Sequence, residues 1–106
     1  MIAHLLVMYP TPKDPNAFAR AYRDEHLPYA GPRLKGATGV VSKLVATPPG
    51  QQALYHAISD VSFPSLEALQ ACAVSVGGKE ALAHAASISS GGPPLVLVVT
   101  DDLVAS

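Results

Sequence analysis

The sequence predicts one small α+β domain built on a four-stranded antiparallel sheet, and three observations predict it. Two continuous apolar runs, Ile2 to Tyr9 and Leu95 to Thr100, stand near opposite ends of the chain, each closed by turn residues as buried strands are. Between them, two segments with apolar residues at helical spacing flank a pair of extended segments joined by Pro48-Pro49-Gly50. At 106 residues the chain has the length of a single domain, taken as residues 1–106.

The first run, Ile2 to Tyr9, ends at Pro10, Pro12 and Asp14-Pro15, the pattern of a strand followed by a turn. Asp14 before Pro15 is a good N-cap with proline at the first helical position, and Phe18, Ala21, Tyr22 and Glu25 then recur at helical spacing, so a helix is expected from about Pro15 to Glu25. Pro28 is expected to kink the chain at His26-Leu27-Pro28, with a shorter turn from Tyr29 to Leu34. Val40 to Ala46 and Ala53 to Phe63 read as a hairpin. Pro64 opens an alanine-rich helix carrying Leu66, Leu69 and Ala73, which Gly77-Gly78 is expected to divide before Lys79 to Ile88 resumes. Ser89 to Pro94 is a turn-rich spacer, and Leu95 to Thr100 is the fourth strand.

The order β-α-β-β-α-β is the split βαβ arrangement of ferredoxin-like folds, in which helices cover one face of the sheet. A wet second face should alternate apolar with polar residues. Strands one and four do not: Leu5, Leu6, Val7 and Met8, and Leu95 to Val99, place apolar side chains on both faces. Charged residues are only 14 % of the chain, against roughly 25 % in an average domain, so little polar surface is available to cover it. A second copy packed on the helix-free face is the expected cover, which makes the protein a homodimer.

Composition also excludes. Seven basic and eight acidic residues, net charge -1, leave no positive stripe for nucleic acid. No apolar stretch approaches the roughly 20 residues that cross a bilayer, and the N-terminal run lacks a basic residue before it and is closed by Tyr9-Pro10, which argues against a signal peptide. The single cysteine, Cys72, sits between Ala71 and Ala73 without a base or second thiol, and is expected to be buried filler in a cytoplasmic protein. Ser89-Ser90-Gly91-Gly92 is not followed by a helix or a lysine and is not a phosphate loop.

Tyr9-Pro10, Tyr22-Arg23-Asp24-Glu25-His26-Leu27-Pro28, Phe63-Pro64-Ser65-Leu66-Glu67-Ala68-Leu69 and Ser90-Gly91-Gly92 resemble the EthD family of dimeric α/β-barrel proteins over almost the whole chain. Pro64 stands where the family usually has aspartate. The resemblance implies a dimeric α/β barrel, similar in fold to muconolactone isomerases, cofactor-free monooxygenases and polyketide cyclases. The family's prototype is associated with degradation of ethyl tert-butyl ether.

Among candidate site residues, His26 comes first: it follows the helix, lies near Tyr22 and Tyr29, and imidazole titrates near neutrality, which suits acid-base chemistry on a small hydrophobic, oxygen-bearing molecule. The competing reading makes it a cap for carbonyls freed by Pro28, with the helix end favouring its protonated form and burial opposing it. Tyr22 and Tyr29 are candidate ligand donors. His4 and His56, on strands one and three, are expected to be neighbours that line a pocket or the dimer interface; Asp60 shares the parity of His56, and no third ligand marks a metal site. His84 is expected to lie on the surface or between helices. No cofactor is expected; haem on one of these histidines is the variant an optical spectrum would separate. The alternative to ligand chemistry is a non-catalytic binding or assembly homodimer whose cleft is filled by Phe18 and Leu66.

Overall fold

A computed structural model describes residues 2–105. Its elements are β1 (Ala3–Pro10), α1 (Pro15–Ala21), a π-helical turn (Tyr22–His26), α2 (Leu27–Ala30), a 3-10 turn (Gly31–Arg33), β2 (Gly39–Leu44), β3 (Tyr55–Phe63), α3 (Leu66–Val74), α4 (Val76–Ile88) and β4 (Leu95–Val99). The strands form one antiparallel sheet in the order β2-β3-β1-β4, the ferredoxin-like topology. The two central strands alternate: Ala3, Leu5, Val7 and Tyr9 of β1, and Ser59, Val61 and Phe63 of β3, are buried beneath the helices. Two clusters make the core. One gathers Leu5, Val61, Phe63, Leu69 and Cys72; the other gathers Val7, Tyr9, Phe18 and Ala85.

Asp14 caps α1 by accepting from the Asn16 and Ala17 N–H groups at 3.0 and 3.2 Å, with Pro15 at the first position as expected. The kink at Pro28 does not occur. Tyr22, His26, Leu27 and Gly31 all keep right-handed helical dihedrals, and the chain widens into a π turn whose Leu27 N–H bonds to the Tyr22 carbonyl. The wider turn accommodates Pro28, which has no N–H to offer and would crowd an α-helical carbonyl. His26 is therefore inside a continuous helical stretch, and the capping reading of it is corrected.

The second helical segment breaks at Ser75, earlier than the glycines. Ser65 caps α3 through the Ala68 N–H, and Ser75 is extended and caps α4 through the Gly78 N–H. Gly78 is in the first turn of α4 because a Cβ there would lie 1.9 Å from the Cys72 carbonyl oxygen. The spacer before β4 is also closely fitted: a Cβ on Gly91 would lie 2.1 Å from the Thr11 carbonyl oxygen, and the Lys13 N–H donates to the Ser90 hydroxyl at 3.0 Å.

The other face of the sheet carries no helix. Val41, Leu95, Leu97 and Val99 are 40–55 % exposed there, alongside Leu6, Met8 and Ile58. No helix among the described residues is long and apolar enough to cross a membrane.

Candidate functional site

The second core cluster leads outward into a cleft between the sheet and the segment α1 to α2. Tyr9 comes up from the end of β1, packed edge-on against Phe18 and Tyr22 at ring distances of 5.0 and 5.9 Å. Phe18, Tyr22 and His26 recur four residues apart, so α1 and the π turn present them side by side, with Phe18 and Tyr22 stacked at 6.0 Å and Tyr22 and His26 at 5.5 Å. Tyr22 divides the cleft. On one side a cavity of about 40 Å³ is lined by Leu5, Val7, Tyr9, His26, Val61 and Ala85, among others. On the other a cavity of about 150 Å³ is lined by Phe18, Ser42, Leu44, His56 and Ala57. The first has room for a few waters; the second has the size of a cavity that takes one benzene ring.

Three hydroxyls meet at the divide. Tyr22 Oη bonds to Ser59 Oγ at 2.6 Å and to Ser42 Oγ, joining the π turn to β3 and β2. Three hydroxyls carry three hydrogens, and two contacts use two of them, so one donor remains for a further acceptor. Beside them, the Tyr9 hydroxyl is buried without a hydrogen-bond partner among the described residues. Burial pushes its pKa well above the ordinary phenol value, the Tyr22 phenol adds to this, and the nearby Ser59 hydroxyl opposes it, so Tyr9 is an un-ionised donor at neutral pH. A buried polar atom without a partner costs about 1–3 kcal/mol.

His26 is 8 % exposed. Burial, helped by repulsion from His84, lowers its pKa to about 4, so it is a neutral imidazole at physiological pH. Its Nδ1 lies 2.9 Å from Nδ1 of His84, on α4. His84 thus lies between helices, as expected, and the contact with His26 is the added finding. Nothing in the spacing of helix two disclosed the contact, because the break at Ser75 sets the phase of α4 independently of α3.

Tyr29 does not line either cavity; it lies between the His84 ring, 4.6 Å away, and the Arg33 guanidinium, 3.6 Å from its centroid. His4 and His56 are on neighbouring strands but not on one face. His4 is on the helix-free face, where its Nδ1–H donates to Asp60 at 2.7 Å. His56 lies at an irregularity in the β1–β3 register, between the pairs Tyr9↔Ala57 and Pro10↔Tyr55, which breaks the parity count from Asp60. It packs edge-on against Phe18 at 5.9 Å, at the second cavity. The joint His4–His56 site is therefore corrected into two separate places. Cys72 is buried, and burial raises its thiol pKa. Phe18 belongs to the wall of the cleft, whereas Leu66 packs on the other core cluster and does not fill it. No group of three or more histidine, cysteine, aspartate or glutamate side chains among the described residues could hold a metal ion.

No family model and no curated protein matches the chain. Solved structures do. An ethyl tert-butyl ether D (EthD) family protein from Bacillus halodurans superposes with a TM-score of 0.82 at 19 % identity, covering 96 % of this chain and 100 % of that one. An EthD-like protein from Ralstonia eutropha gives 0.69 at 21 % identity, with 92 % and 89 % covered. A dimeric ferredoxin-like protein of unknown function from Jannaschia gives 0.67 at 21 % identity, with 95 % and 100 % covered. The chain therefore has the ferredoxin-like fold in the form that EthD-family proteins take.

Proposed function

We propose that this protein is a homodimer that binds a small, largely apolar, oxygen-bearing molecule, about one six-membered ring in size, in the cleft divided by Tyr22, with His26 as an acid-base group. The observation that carries this reading is an apolar cleft whose few polar groups converge: a neutral His26, Tyr22 and Ser59 line it together with Tyr9, whose hydroxyl is buried without a partner among the described residues. A folded core leaves a buried donor unmatched where something else is meant to match it. Tyr9 and the spare hydrogen of the Tyr22-Ser42-Ser59 cluster would hold a carbonyl, phenol or enolate oxygen. His26 would take or return a proton beside that oxygen, chemistry that needs no cofactor. His56 and Phe18 would contact the ring in the second cavity, and Tyr29 would support the site from behind His84.

The homodimer follows from the helix-free face. Leu6, Met8, Val41, Ile58 and Leu97 form a largely apolar surface in which His4 pairs with Asp60, with Ser62 and Lys43 as its other polar members. Its proposed cover is the same face of a second copy, an arrangement supported by the description of the similar Jannaschia protein as dimeric.

Titration with phenol, acetophenone and toluene, followed by amide NMR shifts, tests the ligand reading. The oxygen-bearing probes are expected to shift Tyr9, Tyr22 and His26, to bind more tightly than toluene, and to lose roughly tenfold in affinity in Tyr9→Phe, equivalent to about 1.4 kcal/mol. Equal binding of toluene, or no loss in Tyr9→Phe, contradicts it.

A further inference from the structure

Behind the cleft the rings form an array that the ligand reading does not by itself require. The His26 and His84 rings are nearly coplanar and meet edge to edge, with centroids 5.2 Å apart and planes 11° apart; Tyr29 stacks on His84 at 4.6 Å, and Arg33 lies over the Tyr29 ring. The two histidines meet through like nitrogens, Nδ1 to Nδ1, at 2.9 Å. Two N–H groups in that position would repel, and so would two lone pairs, so the pair holds one hydrogen between its two Nδ1 atoms.

We infer that His84 is a positioning residue for His26: it accepts the Nδ1–H of His26, which leaves the His26 Nε2 lone pair free as the base that serves the cleft. The inference rests on the reading of the cleft as a ligand site. When a ligand O–H or acidic C–H gives its proton to Nε2, the bonding pair stays on the ligand as an oxyanion beside Tyr9 and Tyr22. The Nδ1 proton of His26 then moves to Nδ1 of His84. The positive charge ends on His84, which is half-buried, and not on His26, which is buried. Reversal returns the proton to the ligand.

The surroundings suit this direction. Burial lowers the pKa of His26 to about 4, and the proximity of His84 adds to the effect, so a charge settling on His26 itself is disfavoured. Around the pair, Tyr9 lines the same cavity as His26, Tyr22 lies against His26, Tyr29 stacks on His84, and Arg33 lies over the Tyr29 ring. Glu80, one helical turn before His84, lies 3.8 Å from Arg33 Nε. An imidazole held by a second group through Nδ1 keeps its tautomer and orientation, the arrangement a base acting through Nε2 needs.

The tautomers are read by long-range nitrogen–proton NMR on ligand-free protein carrying isotope-labelled histidine at neutral pH. The expected spectrum shows His26 with a protonated Nδ1 and a bare Nε2, and His84 with the reverse. His84→Phe keeps a ring against Tyr29 but removes the acceptor, so His26 should exchange to the Nε2–H form; His84→Gln keeps an acceptor and should retain the parent tautomer. A bare Nδ1 on His26 in the parent overturns the inference, and so does an unchanged tautomer in His84→Phe. If His84→Phe fails to fold, the parent and His84→Gln spectra decide, and an exchanged tautomer in His84→Gln counts against it. Because no ligand is present, the correct tautomer in a protein that binds none of the probes sinks only the ligand reading. The wrong tautomer in a protein that binds them sinks only the pairing.

Discussion

At the scale of single residues, burial keeps the groups of the cleft neutral. The pKa of His26 is lowered from 6.5 to about 4, mainly by burial. The unfolded chain therefore binds a proton that the native state refuses. Stability attributable to this residue is intact above pH about 6.5, declines as pH falls toward about 4, and falls no further below that, for a total of up to about 3 kcal/mol. Chemical denaturation across that range should show the decline in the parent and a smaller one in His26→Phe; equal declines would place the effect elsewhere. Tyr22→Phe removes the hydroxyl that joins Ser42 to Ser59. Ser59, 5 % exposed, is then left unmatched, and a loss of about 1–2 kcal/mol is expected. His26 and Tyr22 were legible in the sequence because the spacing of Phe18, Tyr22 and His26 survives the change from α to π geometry. Tyr9 was legible only as an aromatic residue at the end of a strand, since its lost hydrogen bond exists only when helix and sheet are assembled. His84 was not legible at all as a partner, because a contact across 58 positions depends on where α4 begins.

At the scale of elements, local steric rules located each segment and tertiary contacts set its ends. Pro28 suggested a break, but a π turn absorbs it, and that turn is what brings His26 inward to α4. Gly77-Gly78 suggested a break as well, yet the break is made by Ser75, and the glycines serve close approach. Gly78→Ala should therefore cost about 1–3 kcal/mol by overpacking against the Cys72 carbonyl, even though alanine is the better helix former. A variant as stable as the parent in denaturant would mean that α3 and α4 adjust freely. The strands were the most legible elements, because continuous apolar runs allow few alternatives; the single irregularity at His56 was invisible, and it alone undid the parity argument joining His56 to Asp60.

At the scale of the whole molecule, the described chain is a slab 37 × 37 × 18 Å, one layer of helices on one sheet. A two-layer slab with an apolar outer face favours self-association, and Leu97, midway along the edge strand β4, lies opposite Leu6 on that face. Leu97→Asp should convert a dimer into a monomer in sedimentation at micromolar concentration; a parent that already sediments as a monomer would contradict the dimer. Above both predictions stands the claim that the cleft beside Tyr9, Tyr22 and His26 is a ligand site. A crystal structure of the protein soaked with phenol tests it most directly. The account predicts the ring in the cleft, with its oxygen within hydrogen-bonding distance of the Tyr9 or Tyr22 hydroxyl and His26 beside it; a cleft closed over Tyr9, with phenol absent from it or bound elsewhere, would contradict the account.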